Sequence, residues 1–385
     1  MKKADLKLTA GVVAAAVYIA AFTLAAACCA GIGFAAASVA AVAVAAASLV
    51  CGNAFEGVPV ISVFLLVSFM YAGRLYGETA LLLTVLCFAL LLVPLSRAPA
   101  KLVKLLTSPA AASGLMLALA FSATALLTTY YFGIGAQGDT VREILVSYRS
   151  LGFHANWRTV LYGTITLVIM ITYPRKFKRL KAVLPAAVPA LLIPLLLNLL
   201  LIPDTSLNII TESAEVFMGA GQVSFSPRAV PVCVMCAVCA ALTTLLFAAR
   251  ADAQHSAAVF CVPDIQRVYL PPGCRQLTAR VFILLALIPV LLVIYLLSPV
   301  LSRTPLSSQA VVLIASAWQC VSWGLIARAF KSGIWGILAV LVIFGSVFVL
   351  PVPAAVLIGF AISCVICLAG RSTGNRVGED GGANG

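Results

Sequence analysis

The sequence predicts an all-α polytopic membrane protein, and three observations carry that prediction. Hydrophobic residues fill 63% of the 385 positions. They gather in about twelve membrane segments, each near the roughly 20 apolar residues that one helical crossing of a bilayer needs. Lys and Arg collect in the short intervals between these runs. Within hydrocarbon a segment must satisfy its own backbone hydrogen bonds, so the runs read as helices rather than strands. The net charge of +13 lies at helix ends, without the soluble basic groove that nucleic acid requires. The lipid bilayer is the expected partner, and nucleic acid is not.

In order, spans are expected near Leu8–Cys29, Ile32–Val50, Pro59–Ala72, Thr79–Leu95, Ala110–Phe132, Thr159–Tyr173 and Val183–Ile202. A second set follows near Ala229–Ala249, Val281–Val300, Ala310–Leu325, Ile334–Leu350 and Pro353–Leu368. The first carries Lys2, Lys3 and Lys7 ahead of it and no separate cleavage site, so it is expected to be retained with a cytoplasmic N-terminus. The clusters Arg97, Lys101, Lys104 and Arg175, Lys176, Lys178, Arg179, Lys181 then fall on the same side. Arg250, Arg275, Arg280, Arg328 and Lys331 join them if the chain makes no net crossing between Arg250 and Arg275. Both termini are thus expected in the cytoplasm, the membrane being the plasma (inner) membrane. Residues 371–385 are too polar and Gly-rich to pack and read as a disordered tail.

Twelve cysteines suggest a disulfide or metal framework, yet Cys28, Cys29, Cys87, Cys233, Cys236, Cys239, Cys364 and Cys367 lie within apolar runs. Zinc sites recruit paired CxxC motifs or histidines on ordered loops. The cysteines therefore read as small packing residues, and neither His154 nor His255 is assigned to a metal. The Ala-rich first two segments suit close helix approach. With no Ser-His-Asp set and no phosphate loop, an enzyme is not expected, and no cofactor is called for.

The third run is short and starts at Pro59, after the breaker sequence CGNAFEG. Proline suits the first turn of a helix, so the segment reads as an extended stretch entering a half-helix. Placed at mid-membrane, its free amides would offer an anion a positive dipole end; an ordinary shorter helix behind a surface loop fits the same pattern.

Four stretches carry a family likeness: KLTAGVVAAAVYIAAFTLAAACCAGIG from Lys7, LTSPAAASGLMLALAFSATALLTTYYFGIGA from Leu106, NWRTVLYGTITLVIMITYPRKFKRL from Asn156 and LLSPVLSRTPLSSQAVVLIASAWQCVSW from Leu296. In order and spacing the chain resembles the SulP family of inorganic anion transporters. The likeness covers the membrane domain alone, without the family's soluble STAS domain. It implies a SulP/UraA-like inverted-repeat transporter fold, with residues 1–205 as the first half (segments one to seven) and 206–370 as a shortened second half. It implies an anion site between the first segment and the starts of half-helices three and ten. Carried over, the site falls on Gly57, Pro59, Val60, Ile61 and Ser62, faced by Tyr18 and Phe22, which share a helix face at i and i+4.

Three departures bear on function. The chain runs through Ala20 and Ala21 where the family breaks its first segment with proline, and Leu242, beside Thr243 and Thr244, stands where the family has a carboxylate. Between Asp252 and Arg275 the ninth segment and tenth half-helix would need about 30 residues, and only AQHSAAVFCVPDIQRVYLPPGC is present, with Ile265, Gln266 and Arg267 in the half-helix's approximate place. Glu56 is the candidate proton-coupling group, with helix-dipole complementation as its plainer role. Arg74 and Glu78 read as an interfacial ion pair.

Two functions of different class follow. One is a secondary active carrier of a small inorganic anion of the sulfate, bicarbonate or chloride class, coupled to H+ or Na+ and expected as a homodimer. The other is a transport-inactive membrane scaffold derived from such a carrier. A nucleobase carrier of the same fold is a third, which Leu242 opposes.

Overall fold

The computed structural model describes residues 3–50, 71–96, 109–134, 138–200, 227–252, 258–262, 266–269 and 276–365, apart from short gaps within these runs. The third span, from 51 to 70, lies outside them. The helices are α1 Lys3–Ala30, α2 Phe34–Val50, α3 Glu78–Ser96, α4 Pro109–Phe132, α5 Val141–Leu151, α6 Trp157–Lys176, α7 Ala187–Leu200 and α8 Ala229–Asp252. A two-stranded antiparallel hairpin follows, β1 Ala258–Val262 and β2 Gln266–Tyr269. The remaining helices are α9 Gln276–Leu296, α10 Ser298–Leu301, α11 Leu306–Cys320, α12 Trp323–Lys331, α13 Ile334–Val349 and α14 Val352–Ile362.

Most expected spans therefore appear within a few residues of their places. Three differences have physical causes. The run expected at Ala310–Leu325 divides into α11 and α12, because the chain turns extended at Val321 (φ −70°, ψ 123°). Past that break Ile326 and Ala329 are buried while Arg328 and Lys331 are exposed, an amphipathic pattern unsuited to continuing as a span. Second, α5 was not among the expected elements. It is short and amphipathic, buries Val141 and Ile144, and starts with a capping box. There the Glu143 amide donates to Thr140 Oγ1 at 3.2 Å and the Thr140 amide to Glu143 Oε2 at 3.3 Å. Third, the hairpin stands in the shortened stretch, so the architecture is all-α apart from two short strands.

Apolar side chains face both inward and outward. On α3, Leu81, Val85, Phe88 and Leu92 are buried, while Leu82, Leu86, Leu90 and Val93 are exposed on the other face. The same two-sided pattern holds on α9, with Ile283, Leu287 and Leu291 inside and Leu285, Ile288 and Leu292 outside. Water would penalise such a surface, whereas lipid solvates it. This is the exterior of an integral membrane protein.

The helices form two groups. In the first, α1 packs on α2 and α9, α2 on α3 and α9, and α3 on α8. In the second, α4 packs on α11, α12 and α13, and α6 on α7 and α11. Helix α1 joins them, touching α7 and α11 as well as its own group, and β2 packs beside it. Its middle is enclosed on every side, since Ala14–Ala16 and Tyr18–Cys29 are buried without interruption. Ala and other small residues allow that density of neighbours.

The end of α1 is closed by local chemistry. Gly31 takes φ +66°, its amide reaches the Cys28 carbonyl at 3.3 Å, and the Ile32 amide reaches the Ala27 carbonyl at 3.0 Å. This is a Schellman turn, which glycine adopts without a Cβ penalty. Tyr130 Oη adds a bond to the Cys29 carbonyl at 2.8 Å. The start of α2 is held by Glu78, whose Oε1 accepts from the Gly33 amide at 3.1 Å. Arg74, the expected partner of Glu78, lies outside the described residues.

Close approach also sets the second group. A Cβ on Gly163 would come within 2.7 Å of the Tyr131 ring. Gly163→Leu is accordingly expected to destabilise the protein by about 1–3 kcal/mol through overpacking. A lowered thermal midpoint in detergent would show it, and an unchanged midpoint would mean that the contact between α4 and α6 is looser than described.

Candidate functional site

The site is built around the middle of α1. Tyr18 and Phe22 lie one turn apart, as their i, i+4 spacing requires. Their rings stack with centroids 6.0 Å apart and planes 19° from parallel. Tyr18 is 1% exposed and Phe22 0%. A buried phenol needs a polar partner, and Tyr18 finds one across the boundary between the two groups, sharing a 2.9 Å hydrogen bond with Ser316 Oγ of α11.

Helix α11 runs antiparallel to α1. Tyr18 meets Ser316, and ten residues further along α1 Cys28 lies beside Gln309, seven residues back along α11. Trp318 then ties α11 to α4, its Nε1 donating to Thr124 Oγ1 at 2.8 Å. The α1–α11 seam is thus polar at its middle and at the start of α11, with Ala and Val between.

Of the residues expected at the site, Tyr18 and Phe22 are described and adjacent. Gly57, Pro59, Val60, Ile61 and Ser62, and Glu56 with them, lie outside the described residues. Leu242 is half-buried on α8. The adjacent hydroxyls are occupied within their own helix: Thr243 Oγ1 donates to Cys239 and Ala240 carbonyls at 3.0 and 2.9 Å, and Thr244 Oγ1 to Ala240 at 2.8 Å. Cys28, Cys29, Cys233, Cys236 and Cys239 are buried, in keeping with their reading as packing residues, and Cys28 also meets the Gln309 side chain.

Two residues were missed by the sequence reading. Ser316 looks like any small residue in an apolar run, and only the fold pairs it with Tyr18. Arg280 was counted among the flanking charges, but α9 begins at Gln276 and so contains it. It is 2% exposed, on a helix that packs against α1, α2 and β1. A buried ionisable group in a membrane helix is a functional candidate in its own right.

A cavity of about 410 Å³ opens between α1, α7 and α9, lined by aliphatic residues such as Val17, Ala21, Leu24, Leu191, Leu195 and Val290. Among the described residues its lining carries no charged side chain, and Thr304 is the one polar side chain in it.

The fold is similar to that of solved structures. The transmembrane domain of a cyanobacterium bicarbonate transporter, BicA, superposes with a TM-score of 0.58 at 14% identity, over 96% of this chain and 98% of that one. SLC26A9 superposes with a TM-score of 0.59 at 11% identity, over 95% of this chain and 66% of that one. No family model and no curated protein sequence matches the chain.

Proposed function

We propose that this chain, which has the fold of these transporter membrane domains, is a secondary active carrier of a small inorganic anion of the sulfate, bicarbonate or chloride class. One observation carries the reading: a buried hydrogen bond, Tyr18 to Ser316, spans the boundary between two helix groups in a fold whose solved examples include a bicarbonate transporter. In such folds one group rocks against the other around a site between them. A hydrogen bond spanning that boundary is positioned to report and to stabilise one of the two arrangements.

The ligand chemistry follows from what surrounds α1. Aromatic faces, hydroxyls and free amides hold a small anion weakly enough for release, and Ser62 with its neighbours in the third half-helix would supply the amides. The hairpin supports a rebuilt second wall, since β2 packs against α1 in the stretch where half-helix ten is shortened. Coupling to H+ would use Glu56, and coupling to Na+ is the alternative. The Lys and Arg clusters favour both termini in the cytoplasm, with two repeat halves meeting near residue 205 and a homodimer as the assembly. The hydroxyls of Thr243 and Thr244 are spent as donors within α8, which counts against the nucleobase reading.

The experiment is uptake of labelled sulfate, bicarbonate and chloride into liposomes holding the purified protein, with and without a proton or sodium gradient. Saturable uptake of one anion, abolished by Ser62→Trp, is the expected result. Absence of flux from folded protein under every gradient would overturn the carrier reading in favour of a scaffold.

A further inference from the structure

The first turn of α11 is a second place where polar groups are buried without use. Thr304, Pro305, Ser307, Ser308 and Gln309 are all buried. Among them Ser307 Oγ, Ser308 Oγ and both ends of the Gln309 carboxamide have no hydrogen-bond partner. The Cys28 thiol lies beside Gln309 and is a weak hydrogen-bonding group. Buried hydroxyls and amides are ordinarily satisfied, and a cluster of exceptions calls for a ligand.

The backbone there points the same way. Pro305 caps the helix without a side-chain bond, and the first amides to bond within the helix are those of Ser308 and Gln309, both to the Pro305 carbonyl. The amides of Leu306 and Ser307 stand ahead of the ladder, at the positive end of the α11 dipole. Side chains in a helix lean toward its N-terminus, so the Ser307 and Ser308 hydroxyls, about 100° apart around the axis, both lean toward the open amides of the first turn. The turn is pinned from the side, since Asn198 Nδ2 of α7 donates to the Arg303 carbonyl at 2.8 Å.

The sign of the ligand follows from the neighbours. The helices packed on α11 are α1, α4, α6 and α7, and their one carboxylate is Asp5 of α1. It stands 23 residues before Cys28, roughly 35 Å along the helix at 1.5 Å per residue. Three of the last four carbonyls of α1, which would repel an anion, are already taken: those of Cys28 and Ala27 by the Gly31 and Ile32 amides and that of Cys29 by Tyr130.

We propose that the first turn of α11, with Ser307, Ser308 and Gln309 against Cys28, is a second binding station for a small inorganic anion. It lies ten residues of α1 from Tyr18, roughly 15 Å. The proposal takes its ligand class from the carrier reading but not its existence, which rests on the unused donors. An anion at this station would sit on the seam between the two helix groups, one step removed from the Tyr18 contact, and would favour the arrangement in which the seam is closed.

Bromide is the probe, because its anomalous scattering locates it directly. Crystals of the full chain grown in bromide are expected to show a peak within hydrogen-bonding range of Ser307 and Ser308. That peak is lost in Ser307→Ala/Ser308→Ala and, independently, in Gln309→Glu, which fills the same volume with a carboxylate. A peak beside Tyr18 alone, or water alone at the α11 turn, overturns the proposal. Bromide at the turn in a protein that moves no anion in liposomes would support this station while removing the carrier reading, so the two fail separately.

Discussion

Truncating Tyr18 to alanine is expected to abolish saturable anion uptake. The side chain is enclosed, stacks on Phe22 and bonds Ser316 across the seam. Its loss removes one wall of the site and leaves a cavity where the two helix groups meet, at a cost of about 3–5 kcal/mol for a large buried aromatic. Tyr18→Phe separates the parts, keeping the ring and deleting the hydroxyl. Uptake should persist with the half-saturating concentration changed by about tenfold, the worth of one buried hydrogen bond. Liposome uptake normalised to folded protein measures both. Wild-type kinetics in Tyr18→Ala would place the anion path away from α1.

Removing Arg280 has the other large effect, on stability. Arg280 is buried and interacts with the surrounding fold, and Arg280→Leu strips that interaction while leaving its partner in place. A hydrogen bond to a charged group contributes about 1.5–3 kcal/mol, so a clear fall in thermal midpoint is expected. Arg280→Lys retains the charge without the planar fork and should recover part of the loss. Equal midpoints for the leucine variant and the wild-type protein would show that the buried cation is compensated by nothing specific.

Span order was legible in the sequence because hydropathy and helix length are coupled by the thickness of the bilayer. Helices α1, α4, α6 and α13 lie close to where their apolar runs predicted. The break between α11 and α12 was less visible, since Val321 is as apolar as its neighbours and the turn there is imposed by which face is covered. Arg280 was misread for a related reason. Charge marks a helix end only when the helix stops there, and α9 begins a turn earlier. At the site, Tyr18 and Phe22 were readable as a pair from local spacing. Their partner Ser316 was not, because a serine 298 positions away carries no local signal. The unused donors of Ser307, Ser308 and Gln309 were invisible for the same reason, as burial is a property of the assembled bundle.

The enclosure of α1 sets a condition on how the chain is made. This helix is made before α9 and α11, yet its contacts with them are supplied by residues more than 240 positions further along the chain. At about 5–20 residues per second of synthesis, the 298 positions between Tyr18 and Ser316 amount to about 15–60 seconds. For that interval an alanine-rich span with a phenol at its centre stands in the membrane without the α11 partner that later completes its enclosure. Assembly must therefore be completed after α11 is released, and nascent chains halted before Leu306 are left with the α11-facing side of α1 uncovered, the form on which membrane quality control acts.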